Sequence, residues 1–177
     1  MTGRSTTSAL HYRPAAVALL LLVGFAWPAV AHAQKLVIVV RHAERADGGA
    51  AMTGAPADPL LSAAGEARAA RLAGLLAESG ITAIFATEFK RTQDTAKPVA
   101  AKLGLTMQTV KAADTAGLVA TLKASHANDV VLVVGHSNTM PAIIKGLTGR
   151  DVTITDAQYD DLFVLVPASG TVSRLKY

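Results

Sequence analysis

Leu36-Val37-Ile38-Val39-Val40-Arg41-His42-Ala43-Glu44 decides the reading of this chain. Five apolar residues, four of them β-branched, run into an Arg-His pair. The run is too short for a helix and suits a strand buried on both faces. In open α/β sheets ligands bind just outside the carboxyl ends of the strands, where the charged pair falls. Val130-Val131-Leu132-Val133-Val134 repeats the pattern and leads through Gly135 into His136-Ser137-Asn138-Thr139. Ile81 to Ala86, followed by Thr87 and Arg91, is a weaker third instance. With the three strands parallel, Arg41, His42, Arg91 and His136 converge on one rim. Two arginines and two histidines there suit a phosphate-sized dianion.

The residues around these runs read as alternating strands and helices. Gly48, Gly49, Gly54, Pro56 and Pro59 punctuate residues 45–59, a loop that either folds over a substrate or is a solvated connection. Ser62 is an expected N-cap, with Glu66 in the first turn and Leu72, Leu75 and Leu76 on the apolar side of the helix. A helix from near Phe89 should kink or restart at Pro98 and close at Gly104. Leu105 to Val110 reads as a strand, Asp114 as the cap of a helix through Leu118 and Leu122, and Thr139 to Leu147 as a short helix. Leu162 to Val166 and Thr171 to Leu175 close the chain as strands, the last a candidate for antiparallel pairing. This alternation predicts an α/β fold, a three-layer α/β/α sandwich with a mostly parallel central sheet, in one domain.

The N-terminus has another character. Arg4 and Arg13 precede an apolar run from Ala15 to about Val30, and Ala31-His32-Ala33 gives an A-x-A cleavage pattern before Gln34. This is the layout of a secretory signal peptide over residues 1–33. The rival reading is a retained anchor, but the run is short for a span and Trp27-Pro28 interrupts it. The expected protein is therefore exported, periplasmic or secreted, with no stable membrane association after cleavage. The formal net charge of the whole chain is +4, and loss of Arg4 and Arg13 leaves 15 basic and 13 acidic residues, a net of +2. That balance gives no case for a nucleic-acid partner. There is no cysteine, so neither disulfides nor a thiolate nucleophile enter.

Arg41 and Arg91 cannot lose their protons and can each grip oxygens in a fork. A neutral His42 beside them is a competent nucleophile toward phosphorus, provided its other nitrogen finds an acceptor. His136 near the same dianion would be favoured as a cation and would steady the transferring oxygens. Backbone amides near Ser137, Asn138 and Thr139 could add donors.

Arg41-His42-Ala43-Glu44 resembles the Arg-His-Gly-Glu signature of the histidine phosphatase superfamily. Thr87-Glu88-Phe89-Lys90-Arg91-Thr92-Gln93-Asp94-Thr95-Ala96 resembles its second signature, and Gly135-His136-Ser137-Asn138-Thr139 its third. The resemblance implies a phosphoglycerate mutase-like fold and a metal-independent phosphoric monoester hydrolase needing no cofactor. It implies His42 as nucleophile, with Arg41, Arg91 and His136 completing the phosphate pocket and Ser137 and Asn138 beside it. Many members carry a Glu after the third strand, or an Asp directly after the second histidine, that protonates the leaving group. Here Ser137 stands at the latter position and residues 111–125 hold only Asp114 as a carboxylic acid. Glu44, Glu88, Asp114 and Asp160 are the candidates for that acid. Glu44 reads more readily as a salt-bridge partner of a pocket arginine, Glu88 as a loop carboxylate and Asp160 as part of a turn. Tyr159 reads as packing and His126 as surface. The expected partner is a small phosphorylated substrate. The alternative is a binding protein that holds phosphate or a phospho-ligand without turnover.

Overall fold

The computed structural model describes residues 36–48 and 58–177, with Met1 and Gly3. Apart from Met1 and Gly3, the leader expected over residues 1–33 lies outside the described residues, as do the loop glycines and proline at 49, 54 and 56. The chain divides into a unit over Met1–Ala31 and a unit over His32–Tyr177, and the fold is that of the second.

Six strands form one sheet: β1 (Val37–Arg41), β2 (Ala83–Thr87), β3 (Met107–Val110), β4 (Val131–Gly135), β5 (Asp161–Val166) and β6 (Thr171–Lys176). Their spatial order is β3-β2-β4-β1-β5-β6. β1 pairs parallel with β4, and β2 parallel with both β4 and β3. β5 is antiparallel to β1 and to β6. Four helices complete the unit: α1 (Ala63–Leu75), α2 (Lys90–Leu103), α3 (Thr115–Ser125) and α4 (Met140–Thr148).

Alternation along the strands sorts the core into two layers. Ile38, Val40, Ile84, Ala86, Leu132 and Val134 face α1 and α2, which supply Leu72, Ala96 and Val99, with Leu76 just past the end of α1. Val37, Val39, Phe85, Val131, Val133 and Phe163 face α3 and α4, which supply Leu118, Leu122, Ile143 and Ile144. Right-handed crossovers explain the split. The chain moves one way across the sheet from β1 to β2 to β3, then back from β3 to β4, so the connecting helices change faces. β4 therefore sends its helix to one face while β2 and β1, its two neighbours, send theirs to the other. This leaves a crevice at the carboxyl end of β4.

Local signals hold at most boundaries. Ser62 caps α1, its hydroxyl accepting from Gly65 N, and Asp114 caps α3, accepting from Gly117 N. α2 and α4 end at Gly104 and Gly149, whose φ values of +66° and +74° are left-handed. Pro98 departs from expectation: α2 runs through it without a break. Thr95, Ala96, Val99 and Ala100 are all buried on either side of the proline, so packing on the sheet holds the helix across the missing donor. Leu75 also departs, being 57% exposed, because the buried stripe of α1 runs through Ala69, Leu72 and Ala73.

Candidate active site

β1 ends at Arg41 directly beside Gly135 of β4, and the amide of His42 donates to Gly135 O at 2.9 Å. Two adjacent parallel strands thus deliver His42 and His136 to one point, with ring centroids 5.3 Å apart. β2 delivers Thr87 on the other side of β4, and the start of α2 delivers Arg91. A cavity of about 630 Å³ opens there, lined by Arg41, His42, Arg45, Arg91, His136, Ser137, Asn138, Asp156 and Tyr159 among others. All six phosphate-site residues expected from the sequence are in it.

His42 is buried, and its Nδ1 lies 2.8 Å from Ala43 O. A carbonyl can only accept, so Nδ1 carries the proton and Nε2 keeps its lone pair. Ala43 is itself pinned, its amide donating to Thr95 Oγ1 at 2.9 Å. Its methyl is packed with Leu61 and Ala69, which accounts for alanine where the signature has glycine. Burial lowers the pKa of His42 to about 3, against the pull of the Ala43 carbonyl and with help from Arg41, His136 and Arg91. The imidazole is therefore neutral through the physiological range.

His136 is fixed from both sides. Its Nε2 lies 2.9 Å from Thr87 Oγ1, and its Nδ1 lies 3.5 Å from Arg91 Nη2. A guanidinium can only donate, so Nδ1 is an acceptor and Nε2 bears the hydrogen. The hydroxyls agree: Thr92 Oγ1 donates to Phe89 O at 2.7 Å, leaving it to accept from Thr87, which accepts from His136. Burial, then Arg91, lowers the pKa of His136 to about 4, while Glu88 opposes the shift.

Three arginines face the cavity. Arg41 Nη1 donates to Asp156 O at 2.6 Å and to Gln158 O at 3.3 Å, and its guanidinium stacks 4.0 Å over the Tyr159 ring. These contacts leave its Nε buried without a partner. The Arg91 guanidinium lies 4.2 Å from the Phe89 ring centre, and both its Nε and Nη1 are buried without hydrogen-bond partners. Arg45, paired with Asp47, likewise has an unpartnered Nε. Among the described residues, five buried side-chain polar atoms lack partners, and four are arginine nitrogens of this one cavity. Buried donors are almost always satisfied, and four orphans converging together are a set that an anion would satisfy.

The expected acids fall apart. Glu44 is held by three contacts from Arg68, at 2.7 to 3.0 Å. Burial would raise its pKa, but those hydrogen bonds hold it below the usual range. Its partner is thus on α1 and is not a pocket arginine. The Asp114 carboxylate is taken by its capping bond, and Asp160 pairs with Lys176 at 2.7 Å. Neither lines the cavity. Glu88 lies in an adjoining groove with Arg91 and His136, its Oε2 accepting from Ala112 N at 2.7 Å. The carboxylate inside the cavity is Asp156, 88% exposed, accepting from Ser137 Oγ at 2.5 Å and 3.8 Å from Arg41. The amide of Thr139, like that of Met140, donates to His136 O, so of the amides expected as anion donors that of Thr139 is already engaged. Tyr159 proves to be a cavity wall, its ring 5.9 Å from His42, because it must support Arg41. His126 is not a free surface residue: it packs edge-on to Phe85 and pairs with Asp129 at 2.8 Å.

Sequence reasoning missed Arg45, Asp156 and the threonine chain. Arg45 had a signal, since it stands four residues beyond Arg41 in the loop leaving the same strand. Asp156 had none. Among the described residues, no three His, Cys, Asp or Glu side chains group as metal ligands.

Residues 37–115 match the histidine phosphatase superfamily, branch 1. Over those 79 of its 177 residues the chain is similar to the histidine phosphatase superfamily. The matched span runs from β1 to the start of α3 and includes Arg41, His42 and Arg91. His136 lies beyond it and joins the site through the β1–β4 pairing. No curated protein matches the sequence. Solved structures do match this chain in fold. The protein histidine phosphatase SixA complexed with tungstate superposes with a TM-score of 0.61 at 18% identity, over 79% of this chain and 94% of that one. SixA from Agrobacterium tumefaciens gives 0.61 at 18%, over 81% and 97%. A mycobacterial glucosyl-3-phosphoglycerate phosphatase with inorganic phosphate gives 0.61 at 16%, over 81% and 95%. At such identities the likeness shows a shared fold.

Proposed function

We propose that the protein is a phosphatase that hydrolyses small phosphate monoesters or related phosphoryl compounds through a phosphohistidine at His42. The observation that carries this reading is the set of four unpartnered arginine nitrogens around a neutral histidine with a free Nε2. Arg41 and Arg91 bind the phosphoryl oxygens. His42 Nε2 attacks phosphorus, the bond to the leaving oxygen breaks, and that oxygen takes a proton. Throughout, Nδ1–H stays on the Ala43 carbonyl. In the second half water attacks phosphorus, the P–N bond breaks, and a proton leaves the water. His136, protonated when the dianion is bound, donates to the transferring oxygens.

Asp156 is 88% exposed and its Oδ1 accepts from Ser137 Oγ, so it stands in water and is not buried against a leaving group. Weak leaving-group assistance favours aryl phosphates, anhydrides or phosphoramidates over sugar or glycerol phosphates. We also infer that residues 1–33 are a cleaved leader and that the enzyme works outside the cytoplasm. The support is the basic start, the apolar run and the A-x-A pattern.

The test is hydrolysis of p-nitrophenyl phosphate and of glycerol phosphate by wild type and His42→Ala, with and without chelator. The expected result is turnover of the aryl ester in preference to glycerol phosphate. It should be indifferent to chelation and fall roughly a thousandfold or more in the variant, the scale of losing a covalent nucleophile. Phosphate binding without turnover in the wild type would overturn the enzyme reading in favour of a phospho-ligand binding protein.

A further inference from the structure

Arg45 supplies one of the four unpartnered nitrogens, but the steps above give it no oxygen to hold. It lines the same cavity as Arg41, His42, Arg91 and His136, its side chain is only 19% exposed, and its buried Nε has no partner. Its backbone is fixed, since it bridges to Leu61 and the next amide, of Ala46, donates to Leu60 O at 3.0 Å. The side chain is therefore held at the cavity and does not sweep through solvent. Its charge reaches the pocket groups, since Arg45 is among the causes that lower the pKa of both Arg91 and His136.

A single phosphoryl group does not account for it. Arg41 offers Nε and Nη2, Arg91 offers Nε and Nη1, and His136 offers one N–H, which already matches three non-bridging oxygens. A third buried guanidinium, its Nε unpartnered, adds a donor beyond those. Buried donors are almost always satisfied, so this one calls for an acceptor that the ligand supplies. The carboxylates beside these arginines leave donors free: Asp156 is mostly in solvent, Asp58 is 3.7 Å from Arg91, beyond hydrogen-bond reach, and Asp47 takes Arg45 Nη2 while the buried Nε stays without a partner. A cavity of about 630 Å³ is in the range of organic-ligand sites and has room for more than phosphate.

We propose that Arg45 is a specificity residue that grips a second oxyanion of the substrate, so that preferred substrates carry a further phosphate or carboxylate close to the scissile phosphoryl group. This rests on the phosphatase reading for its biological sense, but it is tested by binding and not by turnover. Calorimetric titrations compare orthophosphate with pyrophosphate, and ethyl phosphate with phosphoglycolate, on wild type, Arg45→Gln and Arg45→Lys. The expected wild-type preference for the doubly anionic ligand is about tenfold or more in at least one pair, and the pair that shows it identifies the second oxyanion as phosphate or carboxylate. Arg45→Gln should shrink that ratio to about threefold or less, and Arg45→Lys should restore part of it. An equal preference in wild type and Arg45→Gln would overturn the proposal. So would a wild type with no preference in either pair, a result that stands even if a variant fails to fold. Loss of turnover with the ratio intact in the wild type would fault the phosphatase reading alone.

Discussion

His136 is held neutral by burial and by Arg91, yet the reaction asks it to face a dianion. Bringing two negative charges to its Nδ1 favours the imidazolium and raises its proton affinity. Linkage then fixes the direction of the pH dependence. Below about pH 4 the free protein already carries the proton, so binding takes up none. Above that, and up to the raised value in the complex, each binding event draws in a proton, and affinity falls as pH rises. Sulfate is the right probe because it does not itself titrate in this range. Calorimetry at about pH 6 in buffers of different ionisation enthalpy should show uptake of close to one proton in the wild type and almost none in His136→Asn. Sulfate binding without proton uptake in the wild type would show that His136 stays neutral and acts only as a hydrogen-bond partner. The threonine chain behind His136 was not legible in advance. Thr87 and Thr92 stand within one short stretch, but they acquire this role only once the pairing of β2 with β4 brings His136 beside them.

At the scale of elements, α1 sets the backbone that carries the nucleophile. Its first turn lies against the residue after Ala43: Ser62 N donates to Glu44 O at 2.9 Å, and a Cβ on Gly65 would come 2.3 Å from that oxygen. No side-chain rotation relieves such a contact, because both partners are backbone. Gly65→Ala should therefore push Glu44 and Ala43 outward, at a cost of about 1–3 kcal/mol. Ala43 O also fixes the His42 tautomer, so activity should fall with stability. Gly74 in the same helix is the control, since it is exposed and a Cβ there would meet nothing within 4 Å. Gly74→Ala should be neutral or stabilising by about 0.5–1 kcal/mol. Thermal melts of the two variants check this, and a Gly65→Ala protein as stable and active as Gly74→Ala would show that α1 does not position the site. The strands and the caps at Ser62 and Asp114 were readable because each rests on a short run of residues. The role of Gly65 was not, since the atom it must avoid belongs to Glu44, far back along the chain.

For the whole molecule, the motifs at Arg41, Arg91 and His136 could be read together because each follows a strand and the crossover rule brings those strand ends to one rim. What could not be read was the loop carrying Asp156 and Tyr159, which lies between α4 and β5 without periodicity and owes its place to Arg41. The same architecture bears on export. The sheet begins at Val37, and Leu36 O already accepts from Val131 N at 2.9 Å, so cleavage after Ala33 removes no residue of the sheet. The absence of cysteine makes the fold indifferent to the redox poise of its compartment. A chain starting at Gln34 should therefore fold and turn over aryl phosphate as the full-length product does. Expressed with its own N-terminus, the protein should appear in the soluble exported fraction with an intact mass matching residues 34–177. Recovery at full mass in the membrane pellet would make the apolar run an anchor. The site would then be tethered to a surface, restricting it to substrates that reach the membrane.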